Sequence, residues 1–170
     1  MTAPGRRPLL AGNWKMHGTI AEAVALASAI REGLDAAWPA GRDVVLCPPF
    51  TALEAVARTV AGSAVAVGGQ NCFWEPKGAF TGEVSAEMLR EAGARYVILG
   101  HSERREHFGE TDAAVSRKVA AALRAGLVPI VCVGERLAER EGGRTLEVVA
   151  AQVTGSLAGV PADALEAGGV

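Results

Sequence analysis

Hydrophobic and polar positions follow two alternating patterns along the chain, and each pattern predicts one type of element. Short runs that are apolar at consecutive positions indicate strands buried on both faces, as in a parallel sheet covered by helices. Longer alanine- and leucine-rich segments have the period of a helix. The predicted strands span residues 8–14, 43–48, 64–70, 95–100 and 128–134, and the predicted helices span residues 20–37, 52–60, 86–92, 112–125 and 146–157.

The predicted elements alternate, so we expect five β/α units without a linker between them. Two residue pairs have the spacing of a capping box, in which a hydroxyl and a carboxylate bind free backbone amides at a helix start. The pairs are Thr19 with Glu22 and Thr51 with Glu54, and the glycines that follow helical segments are Gly62, Gly93 and Gly126. The pattern predicts one compact α/β layer system and is compatible with both an open doubly wound sheet and a closed barrel.

The composition limits the classes of function. Of 170 residues 49% are hydrophobic, which is enough apolar material for a buried core. The formal net charge is −2 and the basic residues are spread along the chain, so no basic face is available for nucleic acid. No window approaches the ~20 apolar residues of a membrane span, and the N-terminus lacks the apolar core of a signal peptide. We therefore expect a cytoplasmic protein that binds neither nucleic acid nor membrane.

The motifs that would indicate a disulfide framework, a metal or a nucleotide are missing from the sequence. Its three cysteines have no CxxC spacing, which favours reduced and mostly buried thiols. The sequence has no HExxH motif, and His17 and His107 lack metal-ligand spacing with His101. GxGxxG and GxxxxGK[ST] loops are also missing. The sequence thus predicts neither a metal nor a nucleotide cofactor.

Polar or sharply turning residues follow the carboxyl ends of the predicted strands, where the catalytic groups of parallel α/β folds are found. These residues are Asn13, Lys15, Pro48, Pro49, Gln70, Asn71, His101 and Glu135. The change is most abrupt in YVILGHSERRE, where a buried strand is followed at once by His101 and a run of hydroxyl, carboxylate and guanidinium groups. This edge of the sheet is the predicted functional site.

Six motifs, in this order, closely resemble those of triosephosphate isomerases: AGNWKM, GGQN, PKGAFTGE, YVILGHSERRE, FGE and CVGE. The resemblance runs from about Leu9 to the end of the chain. It implies a (β/α)8 TIM barrel, here incomplete with about five of eight units, in a single domain over residues 1–170. It also implies the cofactor-free interconversion of dihydroxyacetone phosphate and glyceraldehyde 3-phosphate in glycolysis and gluconeogenesis.

His101 is the predicted catalytic electrophile. It leaves the strand where the next residues can open a helical turn, whose free amide dipoles disfavour a charged imidazole. A neutral ring can donate an N–H to a substrate carbonyl and shuttle protons as an enediolate forms. The alternative is a strand-end histidine that only makes local hydrogen bonds.

Lys15 is the predicted cation for the substrate phosphate and for the developing enediolate charge. A solvated lysine is the alternative, and a Schiff-base lysine is disfavoured because it would lie buried within a strand. The resemblance implies that Asn13 orients groups around the substrate and that Glu103 positions Lys15. Glu103 could instead complement a helix dipole.

Three further residues are predicted to support the site. By resemblance, the Ser102 hydroxyl contacts the active site, although an N-cap role would explain this residue as well. Cys132 and Glu135 match family positions near the end of the fifth strand and are predicted to support the site without taking part in the chemistry.

Residues 72–84 form a long loop containing aromatic residues, and such loops in compact domains are usually functional or disordered. The resemblance implies a homodimer in which this loop docks beside the active site of the neighbouring subunit. Thr81 would then lie near Asn13 of that subunit, and Glu83 would pair with Arg104 across the interface. The alternative is a surface loop whose aromatic residues, Phe73, Trp74 and Phe80, pack on one another.

The family's general base, a glutamate after the sixth strand, has no counterpart in this sequence. WEP at residues 74–76 resembles that motif by accident, so Glu75 is not assigned as the base. Five units cannot close an eight-stranded barrel, and we expect open edges at the first and fifth strands. The alternatives are an inactive fragment or scaffold, and another barrel enzyme acting on a phosphorylated sugar.

Overall fold

The computed structural model describes residues 8–37 and 41–167. Over these residues the elements alternate between parallel strands and helices, as the pattern predicts. The strands are β1 (Leu9–Asn13), β2 (Asp43–Cys47), β3 (Val65–Gly69), β4 (Tyr96–Leu99) and β5 (Val128–Val131). The helices are α1 (Ile20–Ala37), α2 (Phe50–Thr59), α3 (Ala86–Glu91), α4 (Ser102–His107), α5 (Asp112–Arg124), α6 (Leu137–Glu141), α7 (Thr145–Ser156) and α8 (Ala162–Ala167).

The strands follow the order β1-β2-β3-β4-β5 in one sheet. This sequential order is that of a β/α barrel, whereas the doubly wound sheets reverse their order at a switch point. The structure therefore favours the barrel-type arrangement, with five parallel strands present. The chain divides into two compact units, of which unit 1 comprises Met1–Gln70 with Leu89–Tyr96 and unit 2 comprises Asn71–Met88 with Val97–Val170. That residues 1–170 make a single domain stays a prediction.

Unit 1 is built on the parallel strands β1, β2 and β3. Leu9 pairs with Asp43, and Val44 pairs with Val65, in the two registers. The strands β2 and β3 are buried, whereas β1 is largely exposed. At the end of β3, a Cβ on Gly68 would lie 2.8 Å from the Cys47 sulfur, so only glycine fits there.

Unit 2 carries most of β4, all of β5 and the helices from α4 onward. Its core contains fully buried side chains from β4, from α5 and from the residue just before β5, namely Val97, Leu99, Val115, Val119 and Leu127. The backbone N–H of Cys132 donates to the Leu99 carbonyl at 2.8 Å. This bond holds together the ends of β4 and β5, which carry the polar residues of the predicted site.

The helix-end signals of the sequence are confirmed in part. The Thr19 N–H donates to Glu22 Oε2 at 2.7 Å, as the predicted capping box requires. The Thr51–Glu54 box is wrong, because α2 begins earlier, at Phe50, and its N-cap is Pro49, which makes no side-chain cap hydrogen bond. The proline ring fixes φ near the value that a helix start needs. Gly62, Gly93 and Gly126 all have positive φ, as expected of residues that end helices.

The last predicted strand is too long. β5 ends at Val131, whereas the apolar pattern extends to Gly134. Both backbone polar groups of Gly134 bind the Gln152 side chain, at 2.8 and 3.0 Å, so this residue is held by a helix side chain and not by a strand partner. The short helices α6 and α8 were also not predicted.

Among the described residues, no helix combines the length and the hydropathy that a membrane span requires.

Candidate active site

Lys15 follows β1 in a backbone conformation that is costly for its residue type. Its φ is +52°, the only positive value among the non-glycine residues of the described ranges. The Lys15 N–H donates to Asn13 Oδ1 at 3.0 Å, and its carbonyl accepts from Gln70 Nε2 at 2.8 Å. The same Gln70 amide donates to the Cys47 carbonyl at 2.9 Å. The turn is thus tied to the ends of β2 and β3, which hold the strained conformation.

His101 leaves β4 and serves as the N-cap of α4. Its backbone is extended, with φ −55° and ψ 142°, and its Nδ1 accepts a hydrogen bond from the Glu103 N–H at 3.3 Å. This bond requires an unprotonated Nδ1, so a neutral ring carries its proton on Nε2. The side chain is 23% exposed. The arrangement holds the imidazole in one tautomer with Nε2–H available as a donor.

The two residues after His101 begin helix α4. Ser102 is the first helical residue, and because His101 occupies the cap, the N-cap role considered for Ser102 is wrong. Glu103 lies in the first turn, where its negative charge complements the helix dipole. One Glu103 carboxylate oxygen is 3.5 Å from His101 Nδ1, a contact that becomes an ion pair only if that nitrogen is protonated. The pairing of Glu103 with Lys15 stays a prediction.

Glu110 is buried near the turn that carries His101, and its carboxylate accepts hydrogen bonds from three donors. Its carboxylate accepts from the Gly100 N–H at 3.0 Å, from Arg104 Nε at 3.2 Å and from Lys118 Nζ. Burial alone raises the pKa of the Glu110 carboxyl, but the hydrogen bonds and charges of Lys118 and Arg104 outweigh it and lower the pKa below its ordinary value. Lys118 also donates to Asn71 Oδ1 at 2.8 Å. This charged cluster anchors the residue that precedes His101.

Arg104 was predicted to pair across a subunit interface. In the structure its Nε lies 3.2 Å from Glu110 Oε1 of the same chain, and its guanidinium lies 4.9 Å from the Phe108 ring centroid. The Arg104 side chain is 28% exposed, so part of it faces solvent. The Arg104–Glu83 pair between subunits stays a prediction.

A cavity of about 300 Å³ lies beside the ends of β4 and β5 in unit 2, and Ser102, Arg105 and Glu135 line part of it. Glu135 is 3.0 Å from Arg140 Nε and accepts from the Thr145 hydroxyl at 3.3 Å. A hydrogen bond from its own backbone is the largest cause that lowers the pKa of the Glu135 carboxyl. Burial opposes it, and the Arg140 charge and the hydrogen bonds from Thr145 and Arg140 add smaller decreases. This carboxylate is therefore ionised at neutral pH and already bound to a cation.

Cys132 lies between β5 and Glu135 and is half-buried. Burial raises the pKa of its thiol, so the reactive thiolate form is disfavoured. Its backbone, by contrast, links the ends of both strands. These features fit support of the site better than chemistry at the sulfur.

The loop of residues 72–84 is packed around its aromatic side chains. The ring centroid of Phe73 lies 4.1 Å from that of Trp74 and 4.5 Å from that of Phe80. Arg117, on α5, places its guanidinium 4.1 Å from the Trp74 ring centroid and 3.5 Å from the Glu75 carboxylate. The loop thus has a defined shape, while Thr81, Glu83 and 42% of Phe80 remain exposed.

The chain matches one known protein family over almost all of its length. The family model described as triosephosphate isomerase matches residues 8–169. The chain belongs to the triosephosphate isomerase family. It is 57% identical over 155 residues to the triosephosphate isomerase of Moorella thermoacetica, covering 91% of this chain and 61% of that protein. The protein of the same name from Herpetosiphon aurantiacus is 56% identical over 160 residues, covering 94% of this chain and 63% of the relative.

A solved triosephosphate isomerase agrees with the fold. The crystal structure of the enzyme from Bartonella henselae matches with a TM-score of 0.85 and 44% sequence identity, over 91% of this chain and 63% of that one. The (β/α) barrel family and the incomplete set of units are therefore confirmed. The chain spans 61–63% of the length of the proteins that it matches.

The roles of two residues at the candidate site, Glu110 and Gln70, could not be predicted from the sequence. Glu110 belongs to the FGE motif, but its role as the acceptor for Gly100, Arg104 and Lys118 depends on how the end of β4, α4 and α5 pack together, although all three partners lie only 6 to 10 residues away in sequence. Gln70 was noted only as a polar residue at a strand end. The signal for Gln70 was its position directly after a buried strand, which indicates that a polar partner exists but not which one. For Glu110 the only signal was its place in the FGE motif.

Proposed function

We propose that this chain supplies the carbonyl-polarising histidine and the substrate-binding lysine of an enzyme that interconverts dihydroxyacetone phosphate and glyceraldehyde 3-phosphate. The observation that carries the proposal is the hydrogen bond from the Glu103 N–H to His101 Nδ1, because it leaves Nε2–H as the donor of the ring. Family membership supports the choice of substrate, since the matched residues 8–169 include both His101 and Lys15.

His101 acts on the substrate carbonyl in this proposal. A neutral Nε2–H donates a hydrogen bond to the carbonyl oxygen, and this bond strengthens as the oxygen gains charge in the enediolate. The same ring can then move a proton between the two adjacent oxygens, because imidazole both donates and accepts. Ser102, Cys132 and Glu135 support the turn and the strand ends around it.

Lys15 supplies positive charge in this proposal. Its ammonium balances the phosphate in the bound state and the enediolate in the transition state. Since Asn13 Oδ1 accepts from the Lys15 backbone, we assign the Asn13 side-chain NH₂ as the group that orients the substrate. Glu103 is the proposed positioning partner of Lys15.

The general base is proposed to come from a part of the family's fold that this chain does not span. The carboxylates that follow β4 and β5 are poor candidates. Glu103 approaches Nδ1 and not the donor nitrogen of His101, Glu110 already accepts from three donors, and Glu135 is paired with Arg140. Each of these carboxylates is already committed to a neighbouring group.

A chimera tests the proposed activity. The Moorella thermoacetica relative would provide, after Val170, the part of its length that this chain does not span. A coupled assay should detect isomerisation of both triose phosphates by the chimera, and replacement of His101 or Lys15 should reduce it. A folded but inactive chimera would contradict the proposal, as would an activity confined to another phosphorylated sugar. Arg58→Lys, at an exposed surface ion pair, is the control variant.

We also infer that the loop of residues 72–84 docks onto a second copy of the chain. Its aromatic packing and the Arg117 contact preform the loop, which lowers the entropy cost of docking. The exposed Phe80, Thr81 and Glu83 offer apolar and polar contacts at the tip. Sedimentation of the chimera should reveal a dimer that Thr81→Arg dissociates, whereas an unchanged dimer would contradict this role of the loop.

A cytoplasmic location is the remaining part of the proposal. It is supported by Cys72 and Cys132, neither of which forms a disulfide. Burial raises the pKa of the Cys72 thiol to about 12, so oxidation of this residue is disfavoured. Cell fractionation with an antibody to the chain would test the location.

A further inference from the structure

Arg105 joins four elements of unit 2 next to the proposed electrophile. Its Nε donates to the Gly100 carbonyl at 2.7 Å, and its Nη1 donates to Asp112 Oδ1 at 2.5 Å. Its Nη2 is 3.3 Å from both the Cys132 carbonyl and the Ser156 hydroxyl. One guanidinium therefore binds the chain just after β4, the chain just after β5, the first turn of α5 and the last residue of α7.

The surroundings are shaped for a guanidinium at this position. Gly100 has φ +72°, and a Cβ on it would lie 2.9 Å from Arg105 Nη2 and 3.2 Å from the Cys132 carbonyl oxygen. The Ser156 hydroxyl, fully buried, donates to the same Asp112 oxygen at 3.2 Å. The fork of five N–H donors matches this set of acceptors, whereas a lysine ammonium has a single centre and cannot reach both backbone carbonyls in the same way.

We propose that Arg105 is a positioning residue for His101, an inference that rests on the proposed function of His101. Gly100 immediately precedes His101, and its two backbone polar groups are fixed from opposite sides. The carbonyl is held by Arg105 and the N–H is held by Glu110. Since the peptide unit at the strand end sets the direction in which the imidazole leaves, loss of the Arg105 bond frees that direction. A misplacement of about 1 Å can lower turnover by roughly a hundredfold.

Arg105 makes an ion pair with Asp112 and hydrogen bonds with two backbone carbonyls. The ion pair contributes to stability, whereas the carbonyl bonds position His101. A variant that keeps the ion pair and loses the carbonyl bonds therefore separates the two roles. Arg105→Lys keeps the charge beside Asp112 and so retains part of the packing and ion pairing. It loses the simultaneous bonds to the Gly100 and Cys132 carbonyls. The variant should fold and should keep the substrate-binding cation, so we expect kcat to fall by about ten- to a hundredfold while KM changes much less.

The test combines kinetics with a spectroscopic measurement of the imidazole. Kinetics would compare the chimera with its Arg105→Lys and Arg105→Ala variants, with Arg58→Lys as the matched control at an exposed guanidinium. Long-range ¹H–¹⁵N spectra of the same proteins would follow the His101 ring, assigned with His101→Gln. We expect one Nε2–H tautomer in the parent and the Arg58→Lys variant, and a mixed or broadened ring signal in the Arg105 variants.

Chemical rescue provides a further measurement, because Arg105 lines the cavity of about 300 Å³. Guanidinium added to Arg105→Ala, far below concentrations that unfold proteins, should restore part of kcat and sharpen the His101 signal. An unchanged kcat and unchanged ring signal with a lower melting temperature would overturn the proposal and leave Arg105 a purely structural residue. If the parent chimera is inactive, the proposed function fails, whereas the ring signal still decides the positioning role.

Discussion

The Glu103 backbone N–H donates to His101 Nδ1 at 3.3 Å, so the turn that follows the histidine also selects its tautomer. The cap of a short helix and the electrophile of the proposed reaction are the same side chain. A residue at the start of a helix usually serves local structure by capping free backbone amides. Here Nδ1 caps the helix, and Nε2 is the nitrogen proposed to bind the substrate.

His101→Gln in the chimera should lower kcat by roughly a hundredfold or more, with a smaller effect on KM. The amide can still donate a hydrogen bond in the bound state, but it cannot shuttle a proton between the enediolate oxygens. Steady-state kinetics in both directions would measure this difference. Near-normal turnover would contradict the assignment of His101.

Lys15→Met should raise KM and lower kcat together, because one cation serves both the bound phosphate and the enediolate. Glu103→Gln should have a smaller effect, since it leaves the ammonium in place. The comparison of the two variants in the same assay is the measurement. An intact kcat/KM in Lys15→Met would show that the charge is supplied elsewhere.

The chain of residues 1–170 on its own should not catalyse the isomerisation, although the chimera should. A missing general base costs ~10² to 10⁴ in rate, and the loss of closing loops removes orientation and water exclusion. Leu9 and Leu10 on β1 are 41% and 48% exposed, so the isolated chain should also associate. Substantial turnover by the short chain, abolished by His101→Gln, would overturn this expectation.

Glu110→Gln should lower the free energy of unfolding by about 3 kcal/mol, because it leaves the buried Lys118 without its carboxylate. The two side chains are only 3% and 5% exposed. Urea unfolding at neutral pH would measure the loss, with Glu54→Gln at an exposed ion pair as the control. A loss no larger than that of the control would show that the cluster contributes little.

The lowered pKa of the Glu110 carboxyl should make the free energy of unfolding depend on pH. The folded-state pKa of Glu110 is lowered relative to the unfolded state, so its contribution is present above the ordinary carboxyl pKa. It is lost as the pH falls through the lower, folded-state value, where the group becomes protonated. Urea midpoints measured from neutral pH downward should therefore decrease more steeply in the parent protein than in Glu110→Gln. Parallel decreases would exclude Glu110 as a source of this dependence.

The sequence predicted the elements well because apolar runs and helical period are local properties. It also placed His101 and Lys15 directly after strands, as the structure has them, and their roles in catalysis stay predictions. It did not predict the partners of Arg105, because two of them lie 27 and 51 residues away in sequence. The partners of Glu110 lie only 6 to 10 residues away, but they belong to different segments, and the sequence does not show which of these segments pack against the carboxylate. The predicted Thr51–Glu54 capping box was wrong because the spacing rule takes no account of the proline before it, Pro49, which is the N-cap and starts the helix earlier.

The left-handed backbone of Lys15 also bears on protein engineering. Glycine would adopt this conformation without the ~1 to 2 kcal/mol that a side chain costs there. A selection based on melting temperature alone would therefore favour Lys15→Gly and would discard the cation proposed to bind the substrate. Libraries designed to make this protein more heat-resistant should hold position 15 constant and should score each variant by turnover as well as by survival.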